Sequence, residues 1–268
     1  MSFDLAAYLD RLGLSAITPD VAGLQAAQQA QMRAIPFENL DPLLGVIPGL
    51  GIGEVFDKIV LRRRGGYCFE LNGLFEAGLR AAGFLPTRML ARVRMRTGAD
   101  GPRSHLILRV ESEGRCFLAD AGFGGPGPLM PIDLSLSSGQ ETPNGIYRVV
   151  EDAARGETVL ERRDGADWKA LYAFDTASVS DGDIAAANYV CATWHEAPFS
   201  SHAMLGCYRG EARLGLFDRD LTVETDGRKE QRRLASEREF SDLVCGDMGI
   251  AFEPEDLARV WEKITQQS

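Results

Sequence analysis

The stretch RRRGGYCFELNGLFEAGL, residues 62–79, decides the fold because it predicts a helix that begins at a cysteine. Apolar side chains recur at three- to four-residue intervals from Phe69 onward, which is the spacing that buries one face of a helix. Gly83 follows the last of these residues, and a glycine commonly ends a helix there in the left-handed conformation. We therefore predict a helix from about Tyr67 to Ala82, with Cys68 in its first turn.

The position of Cys68 favours a reactive thiol. The partial positive charge at a helix N-terminus stabilises a thiolate, and a neighbouring imidazolium adds to this effect, so that a thiol pKa can fall from about 8.5 into the range of about 3.5–7.5. The arginines at 62–64 would add positive potential, and Gly65 and Gly66 would leave the sulfur uncovered. The alternative is a small buried apolar residue, as most free cysteines are. Position alone does not decide between the two.

The composition limits the class of protein. A chain of 268 residues that is 45% hydrophobic and 25% charged is typical of a globular protein with a sizeable core. The formal net charge of -10 argues against a nucleic-acid partner, because phosphate binding needs a basic face. The five cysteines are odd in number and form no CxxC pair, so we expect neither a disulfide framework nor a metal site.

The sequence also predicts no membrane partner. Residues 1–14 are typical of an amphipathic helix and not of a signal peptide. The most apolar segment, residues 40–53, is interrupted by prolines and glycines and cannot span a bilayer. We therefore expect a soluble, cytoplasmic protein.

The period of the apolar residues changes along the chain. The first eighty-odd residues have the helical period, and from Leu85 the period becomes two, which predicts a meandering antiparallel sheet or barrel. The last third mixes helices and strands, so the fold class is α+β, with three regions that pack together. Within the helical region, Glu38 is either the partner of one of the arginines at 62–64 or a solvated side chain.

A histidine and an aspartate flank one predicted hairpin, SHLILRVESEGRCFLAD, residues 104–120. A loop centred on Ser112 and Glu113 places His105 opposite Asp120, with Cβ atoms about 4.5–5.5 Å apart. In that arrangement the aspartate orients the imidazole, His105 takes the proton of Cys68, and the sulfur attacks an acyl carbon. The alternative is a pair on the surface of the protein. We expect the other two histidines, His195 and His202, to be surface or lid residues.

Four separated motifs together resemble the arylamine N-acetyltransferases, whose catalytic triad is a Cys, a His and an Asp in that order. They are RGGYCFELN around Cys68, IPFENL at 35–40, PRSHLIL at 102–108 and DAGFG at 120–124. The resemblance implies a cysteine-protease-like core in three domains. These would be a helical bundle at 1–84 with the cysteine, an antiparallel β-barrel at 85–185 with the histidine and the aspartate, and an α/β lid at 186–268.

The same resemblance implies a ping-pong reaction with acetyl-CoA as co-substrate and no metal. Acetyl-CoA would acylate Cys68, CoA would leave, and an arylamine, hydrazine or N-hydroxyarylamine would take the acetyl group. The matching positions for the acceptor pocket are Phe37, Val93 and Phe123. Those for the acetyl-donor cleft are Ser104, Gly122 and Gly124.

Other interpretations remain open from the residues alone. Phe37 is equally suited to plain core packing, and the segment CATWHEAPFSSHAML, residues 191–205, corresponds poorly to the family. A thiol hydrolase or a transglutaminase-like acyltransferase would use the same three residue types. A non-catalytic binding module with an inert Cys68 is the third possibility.

Overall fold

The computed structural model describes residues 3–95, 98–225 and 227–266, and its elements follow the predicted change of period. Its α-helices are α1 Leu5–Leu12, α2 Val21–Ala34, α3 Leu40–Leu43, α4 Ile52–Phe56, α5 Cys68–Ala81, α6 Asp181–Thr193, α7 Glu237–Ser241 and α8 Pro254–Gln266. Two π-helical turns, Asp57–Leu61 and Asp242–Asp247, extend α4 and α7.

The strands form two antiparallel sheets, one from the middle third of the chain and one that combines both ends. They are β1 Phe37–Glu38, β2 Thr87–Val93, β3 Arg103–Ser112, β4 Arg115–Ala119, β5 Ile132–Asp133, β6 Gln140–Thr142, β7 Gly145–Asp152, β8 Glu157–Asp164, β9 Asp167–Phe174, β10 Met204–Arg209, β11 Ala212–Phe217, β12 Asp220–Thr225 and β13 Arg228–Arg233.

The helix α5 confirms the first prediction. It begins at Cys68, and its apolar face is fully or almost fully buried at Phe69, Leu74 and Phe75. Gly83 follows its C-terminal end with a φ of 97° and donates its N–H to the carbonyl of Arg80. The left-handed conformation explains the glycine, because other residues rarely adopt it.

The middle third is a nearly closed barrel, with the strand order β5-β4-β3-β2-β9-β8-β7-β6. The side chain of Gln140 joins the two edge strands. Its amide nitrogen donates to the carbonyl of Asp133 at 2.8 Å, and its oxygen accepts from the N–H of Asp133 at 2.9 Å. One amide therefore connects the edge strands where the main-chain ladder is missing.

The second sheet has the order β1-β10-β11-β12-β13, so a strand from the N-terminal region pairs with strands from the last third. Phe37 lies opposite Gly206, and Glu38 lies opposite Leu205. Leu40 and Leu43 continue the contact, because they are buried in the same apolar cluster as Val244 and Ile264. The α+β class with helices, barrel and C-terminal sheet is confirmed, while the exact division at 84 and 185 stays a prediction.

The predicted register of the hairpin between β3 and β4 is wrong by two residues. Leu108 lies opposite Ala119, and the turn consists of Glu113 and Gly114, whose φ angles are 51° and 72°. A two-residue turn of this type needs positive φ at both positions and favours glycine at the second. Because Gly114 is that glycine, the turn lies one residue further along the chain than predicted. A shift of two keeps every side chain on its face of the sheet. His105 and Asp120 are therefore diagonal neighbours instead of a directly opposed pair.

Glu38 is the partner of an arginine, and the alternative of a solvated side chain is wrong. It is 1% exposed, and the guanidinium of Arg64 donates to it at 2.7 Å and to Asp41 at 2.8 Å. Lys58 joins the same buried network through Asp41 and Glu70, at 2.7 Å each. Because Arg64 is engaged with these carboxylates, and Arg62 with Asp57 at 2.8 Å, their charges are not directed at the cysteine.

Candidate active site

The start of α5 presents Cys68 at the end of the loop that carries two glycines. Glu70 receives the N–H of Tyr67 at 3.2 Å and so satisfies one of the free donors at the helix start. Gly65 is needed for close approach, because a Cβ there would lie 2.4 Å from the carbonyl oxygen of Pro36. The glycines therefore serve to pack the loop against the segment that contains Phe37, and Cys68 itself is only 3% exposed.

Next to this helix lies a buried pair, His105 and Asp120. The imidazole Nε2 is 2.7 Å from the carboxylate Oδ2, and the two residues are 2% and 1% exposed. His105 also acts on Cys68, because its hydrogen bonding and its charge lower the pKa of the thiol. The three predicted residues thus lie together at one buried site, and the alternative of a surface His–Asp pair is wrong.

An irregularity in β3 frees the main chain beside the histidine. Ala91 pairs with His105, but Arg92 pairs with Arg103, so Ser104 is an extra residue in β3, a β-bulge. Bulges of this kind redirect side chains and release main-chain groups from the ladder. The carbonyl of Ser104 accepts a hydrogen bond from the Sγ of Cys68 at 3.7 Å.

Asn72 connects the helix to both of the other parts of the site. Its Nδ2 donates to the carbonyl of Leu106 at 2.6 Å and to Asp120 Oδ1 at 2.8 Å, and its Oδ1 accepts from the N–H of Ala121 at 2.9 Å. Residues four apart share one face of a helix, so Asn72 projects alongside Cys68. Asn72 lies within the motif around Cys68, but no role was predicted for it from the sequence. The spacing of four residues between Cys68 and Asn72 was the sequence feature that could have identified Asn72 as part of the site.

The pKa values of the pair reflect burial and the shared hydrogen bond. Burial alone would lower the pKa of His105, but the charge of Asp120 and the hydrogen bond to it outweigh burial and raise the value to about 10. Burial would raise the pKa of Asp120, and His105, Asn72 and the Gly122 N–H together hold it below its ordinary value. The carboxylate is therefore charged, and its charge stabilises the imidazolium.

The pKa of Cys68 is shifted upward, which differs from the sequence expectation. Burial raises it, and the hydrogen bond and charge of His105 oppose burial without cancelling it. The helix start and the imidazolium both stabilise a thiolate, but a fully buried thiolate loses more stabilisation from water than these two groups supply. His105 is accordingly the group on which thiolate formation depends.

The imidazole is also held by two aromatic rings. The ring centroids of Phe123 and Tyr172 lie 5.1 and 5.0 Å from that of His105, and they lie 5.1 Å from each other. Phe123 and Tyr172 pack edge to face on each other, and both rings are tilted against the imidazole, so the three rings fill the space in which the imidazole could rotate. The histidine is therefore fixed by packing as well as by its hydrogen bonds.

The three residues stand at one cavity of about 330 Å³. Cys68 and His105 line it directly, and Asp120 lies behind the histidine. Every predicted acceptor-pocket and donor-cleft residue lines the same cavity: Phe37, Val93, Phe123, Ser104, Gly122 and Gly124. The structure thus brings together all of the positions that the sequence singled out.

Comparison with known proteins gives the context of this arrangement. A family model described as N-acetyltransferase matches residues 20–257. The arylamine N-acetyltransferase of Mycobacterium tuberculosis (strain ATCC 25618 / H37Rv) is 37% identical over 257 residues, which are 93% of this chain and 90% of the relative. This chain belongs to the arylamine N-acetyltransferase family.

Solved structures agree with this assignment. The arylamine N-acetyltransferase from Salmonella typhimurium has a TM-score of 0.91 at 32% identity and covers 98% of this chain and 99% of its own. The Mycobacterium marinum arylamine N-acetyltransferase, solved in complex with CoA, has a TM-score of 0.91 at 31% identity and covers 97% and 99%. The protein is therefore an acyltransferase with the fold of that family.

Within this acyltransferase, the divergent segment at 191–205 forms the far wall of the cavity. No periodicity or motif marks most of this wall in the sequence. Its side chains at the cavity include Cys191, Trp194, Phe199, His202 and Met204. Phe199 lies 6.3 Å from Phe37 between ring centroids, so the two rings face the cavity together.

The two remaining histidines, which were expected to be surface or lid residues, also line this wall. The side chain of His195 is 85% exposed at the rim. His202 is half-buried, its Nδ1 is 2.7 Å from Asp218 Oδ2, and its ring stacks on Phe217 at 4.8 Å. His202 is therefore fixed at the cavity, although it is not hydrogen-bonded to the cysteine.

The described ranges contain neither a metal-binding cluster nor a helix that could span a membrane. Among residues 3–95, 98–225 and 227–266, no cluster of His, Cys, Asp and Glu side chains is arranged to hold a metal ion. None of the helices in the same ranges has both the length and the apolar character needed to cross a membrane.

Proposed function

We propose that this acyltransferase moves an acetyl group from acetyl-CoA to an aromatic amine by way of a thioester on Cys68. The observation that carries the proposal is the buried, hydrogen-bonded pair of His105 and Asp120, whose histidine lines the same cavity as Cys68. A homologous enzyme of the same fold has been solved with CoA. The co-substrate proposed here is therefore acetyl-CoA, with no metal in the reaction.

In the first half-reaction, His105 takes the proton of the Cys68 thiol. The imidazole and the thiol influence each other's pKa, so they titrate as a pair, and the proton moves to the partner that is the stronger base. Asp120 supports the imidazole as that base by raising its pKa to about 10. The Cys68 sulfur then attacks the acetyl carbonyl, the bond to the CoA sulfur breaks, and CoA leaves with the proton from His105.

In the second half-reaction, an amine nitrogen attacks the acetyl-cysteine carbonyl and releases Cys68. His105 accepts the amine proton and returns it to the departing sulfur, so the enzyme ends as it began. Phe37, Val93 and Phe123 line the cavity with apolar surface, which suits a flat acceptor ring. Arylamines, hydrazines that carry an aromatic ring, and N-hydroxyarylamines all combine such a ring with a nucleophilic nitrogen or oxygen.

The donor arm is proposed to run along Ser104, Gly122 and Gly124. Both glycines line the cavity, and both expose main chain that carries no side chain into it. Their smallness also has a packing cause. A Cβ at Gly124 would lie 2.6 Å from the ring of Phe37, and one at Gly122 would lie 2.8 Å from the amide of Asn72. The cleft and the triad therefore depend on the same two residues.

The proposal is tested by mixing the protein with acetyl-CoA and weighing it intact. We expect a single acetyl group that maps to the peptide containing Cys68 and disappears when an aromatic amine is added. Cys68→Ser should acquire no acetyl group and should lose at least about 10³-fold in kcat, since a neutral hydroxyl is a far weaker nucleophile. Absence of the adduct in the native protein, together with cleavage of a peptide ester, would favour the thiol hydrolase or transglutaminase-like alternative instead.

A further inference from the structure

A second cysteine, Cys191, lies at the active-site cavity and takes no part in the proposed reaction. It belongs to the last turn of α6, is 1% exposed and lines the same cavity as Cys68. Burial raises the pKa of its thiol to about 12, so it is a neutral thiol at physiological pH. Both cysteines belong to one buried apolar cluster.

The two thiols share a single acceptor. The Sγ of Cys191 lies 3.4 Å from the carbonyl oxygen of Ser104, and the Sγ of Cys68 lies 3.7 Å from the same atom. The sulfurs can therefore be no further apart than the sum of these two distances. The β-bulge at Ser104 explains the arrangement, because it leaves this carbonyl outside the strand ladder and directed at both side chains.

We propose that Cys191 is a resolving cysteine, which forms a reversible disulfide with Cys68 when a peroxide oxidises the catalytic sulfur. This goes beyond acetyl transfer and requires only that Cys68 be accessible to a small oxidant. The cavity supplies that access, since both sulfurs line it.

The disulfide forms in two steps. First, the Cys68 thiolate attacks one oxygen of hydrogen peroxide, the O–O bond breaks, and Cys68 becomes a sulfenic acid. The released hydroxide takes the His105 proton and becomes water. Second, the Cys191 sulfur attacks the Cys68 sulfur, the S–O bond breaks, and the oxygen leaves as water with the Cys191 proton. The two sulfurs together lose two electrons, and the peroxide is reduced to two molecules of water.

The position of Cys191 in the fold permits this bond. A disulfide requires Cα atoms about 4.4–6.8 Å apart and a defined torsion, so one side chain has to turn toward the other. Cys191 is followed by only two further helical residues, Ala192 and Thr193. The end of a helix adjusts more easily than its middle because its carbonyls lack intrahelical partners.

The disulfide would protect the enzyme while it stops turnover. A sulfenic acid that meets no thiol is oxidised further to sulfinic acid, which ordinary thiol reductants do not reverse. Capture by Cys191 ends the oxidation at a stage that a thiol can reduce. An acetyl group on Cys68 would block the first step, because a thioester sulfur is not a thiolate.

The experiment uses the full chain with excess hydrogen peroxide, followed by dithiothreitol. For the native protein we expect loss of acetyl transfer, a fall of two in the number of free thiols, and a peptide in which Cys68 is joined to Cys191. Dithiothreitol should restore most of the starting activity. Prior incubation with acetyl-CoA should prevent both the loss and the cross-link.

Two variants, each compared with its own untreated activity, separate the proposal from plain oxidation of Cys68. Cys191→Ala should lose activity and regain less than about a tenth of it, with sulfinic acid found at Cys68. Cys207→Ala is the matched control, because Cys207 is also buried but lies in a different apolar cluster. It should lose and regain activity as the native protein does. Full recovery of Cys191→Ala, or a native protein that is oxidised to sulfinic acid while Cys191 stays free, would overturn the proposal.

Discussion

Asn72 donates a hydrogen bond of 2.8 Å to Asp120, although one residue comes from the helix of the nucleophile and the other from the loop after β4. The bond joins the helix to the barrel at the site itself. It therefore fixes the position of the carboxylate relative to the sulfur, with the histidine between them.

Replacement of Asn72 by alanine should impair both stability and catalysis. Three buried groups would lose a hydrogen bond, and although Asp120 Oδ1 would keep the Gly122 N–H, each group left unpaired costs about 1–3 kcal/mol where no water replaces the partner. The free energy of unfolding and kcat should both fall.

Gln31→Ala is the matched control, since Gln31 is an equally buried amide that forms hydrogen bonds with Tyr8 and the Leu71 carbonyl away from the site. It should lower stability and leave the pH dependence of kcat unchanged. An equal change of that profile in both variants would contradict a positioning role for Asn72.

Replacement of Asp120 by asparagine should cost several orders of magnitude in kcat with the fold intact. The same exchange in a serine triad costs about 10⁴, because the amide selects the wrong tautomer of the histidine and does not stabilise the imidazolium. Steady-state kinetics would measure the loss, and thermal unfolding would show that the protein is still folded. Activity within tenfold of the native value would rule out this role for the carboxylate.

The His105 side chain should control the pH dependence of the cysteine and of stability. Because His105 lowers the pKa of Cys68, His105→Gln should move the midpoint of Cys68 alkylation by iodoacetamide to higher pH. Its own pKa is raised to about 10, so its contribution to stability is complete below about pH 6.5 and is lost as the pH rises toward 10. The stability advantage of the native protein over His105→Gln should shrink across that interval.

The exposed His195 supplies the control for this comparison. His195→Gln should leave the unfolding free energy close to the native value, because its side chain is 85% exposed and substitutions at exposed positions usually change stability little. Chemical denaturation at several pH values would measure both variants. An advantage that grows between pH 6.5 and 10 would have the wrong sign and would contradict the buried His105–Asp120 pair.

Two glycines close to the cysteine should respond to alanine in opposite ways. A Cβ at Gly122 would lie 2.8 Å from the Asn72 amide and 3.1 Å from the Cα of Cys68, so Gly122→Ala should lower both stability and kcat. Gly73 has no atom within 4 Å of such a Cβ. Because alanine favours the helix by about 0.5–1 kcal/mol, Gly73→Ala should raise the melting temperature. A stabilising effect of Gly122→Ala would contradict the close contact with α5.

The sequence predicted those features that depend on local period and short motifs. α5 was expected within one residue of where it begins and ends, because its apolar spacing is regular. The hairpin register was missed because turn chemistry moved the loop to Glu113 and Gly114. The error left the triad prediction intact, since a shift of two residues keeps His105 and Asp120 on one face.

Tertiary contacts set the remaining features and left little trace in the sequence. The upward pKa shift of Cys68 comes from burial by distant segments, which no local pattern reports. The bulge at Ser104 and the wall formed by residues 191–204 likewise depend on how the barrel and the C-terminal sheet meet. The position of Arg64 in the sequence suggested a positive electrostatic potential at the cysteine. Its carboxylate partners reduce that potential, and they come from a distant part of the sequence.

The pairing of β1 with β10 has a consequence for biosynthesis. Phe37 and Glu38 find their strand partners only after Leu205 and Gly206 have been made, so roughly the first two hundred residues emerge from the ribosome without them. Until then, the aromatic wall at Phe37 has no sheet to hold it, and the buried leucines of α3 lack their cover. A nascent or prematurely terminated chain would thus carry the nucleophile without a finished substrate chamber, which keeps a reactive sulfur from working before translation ends.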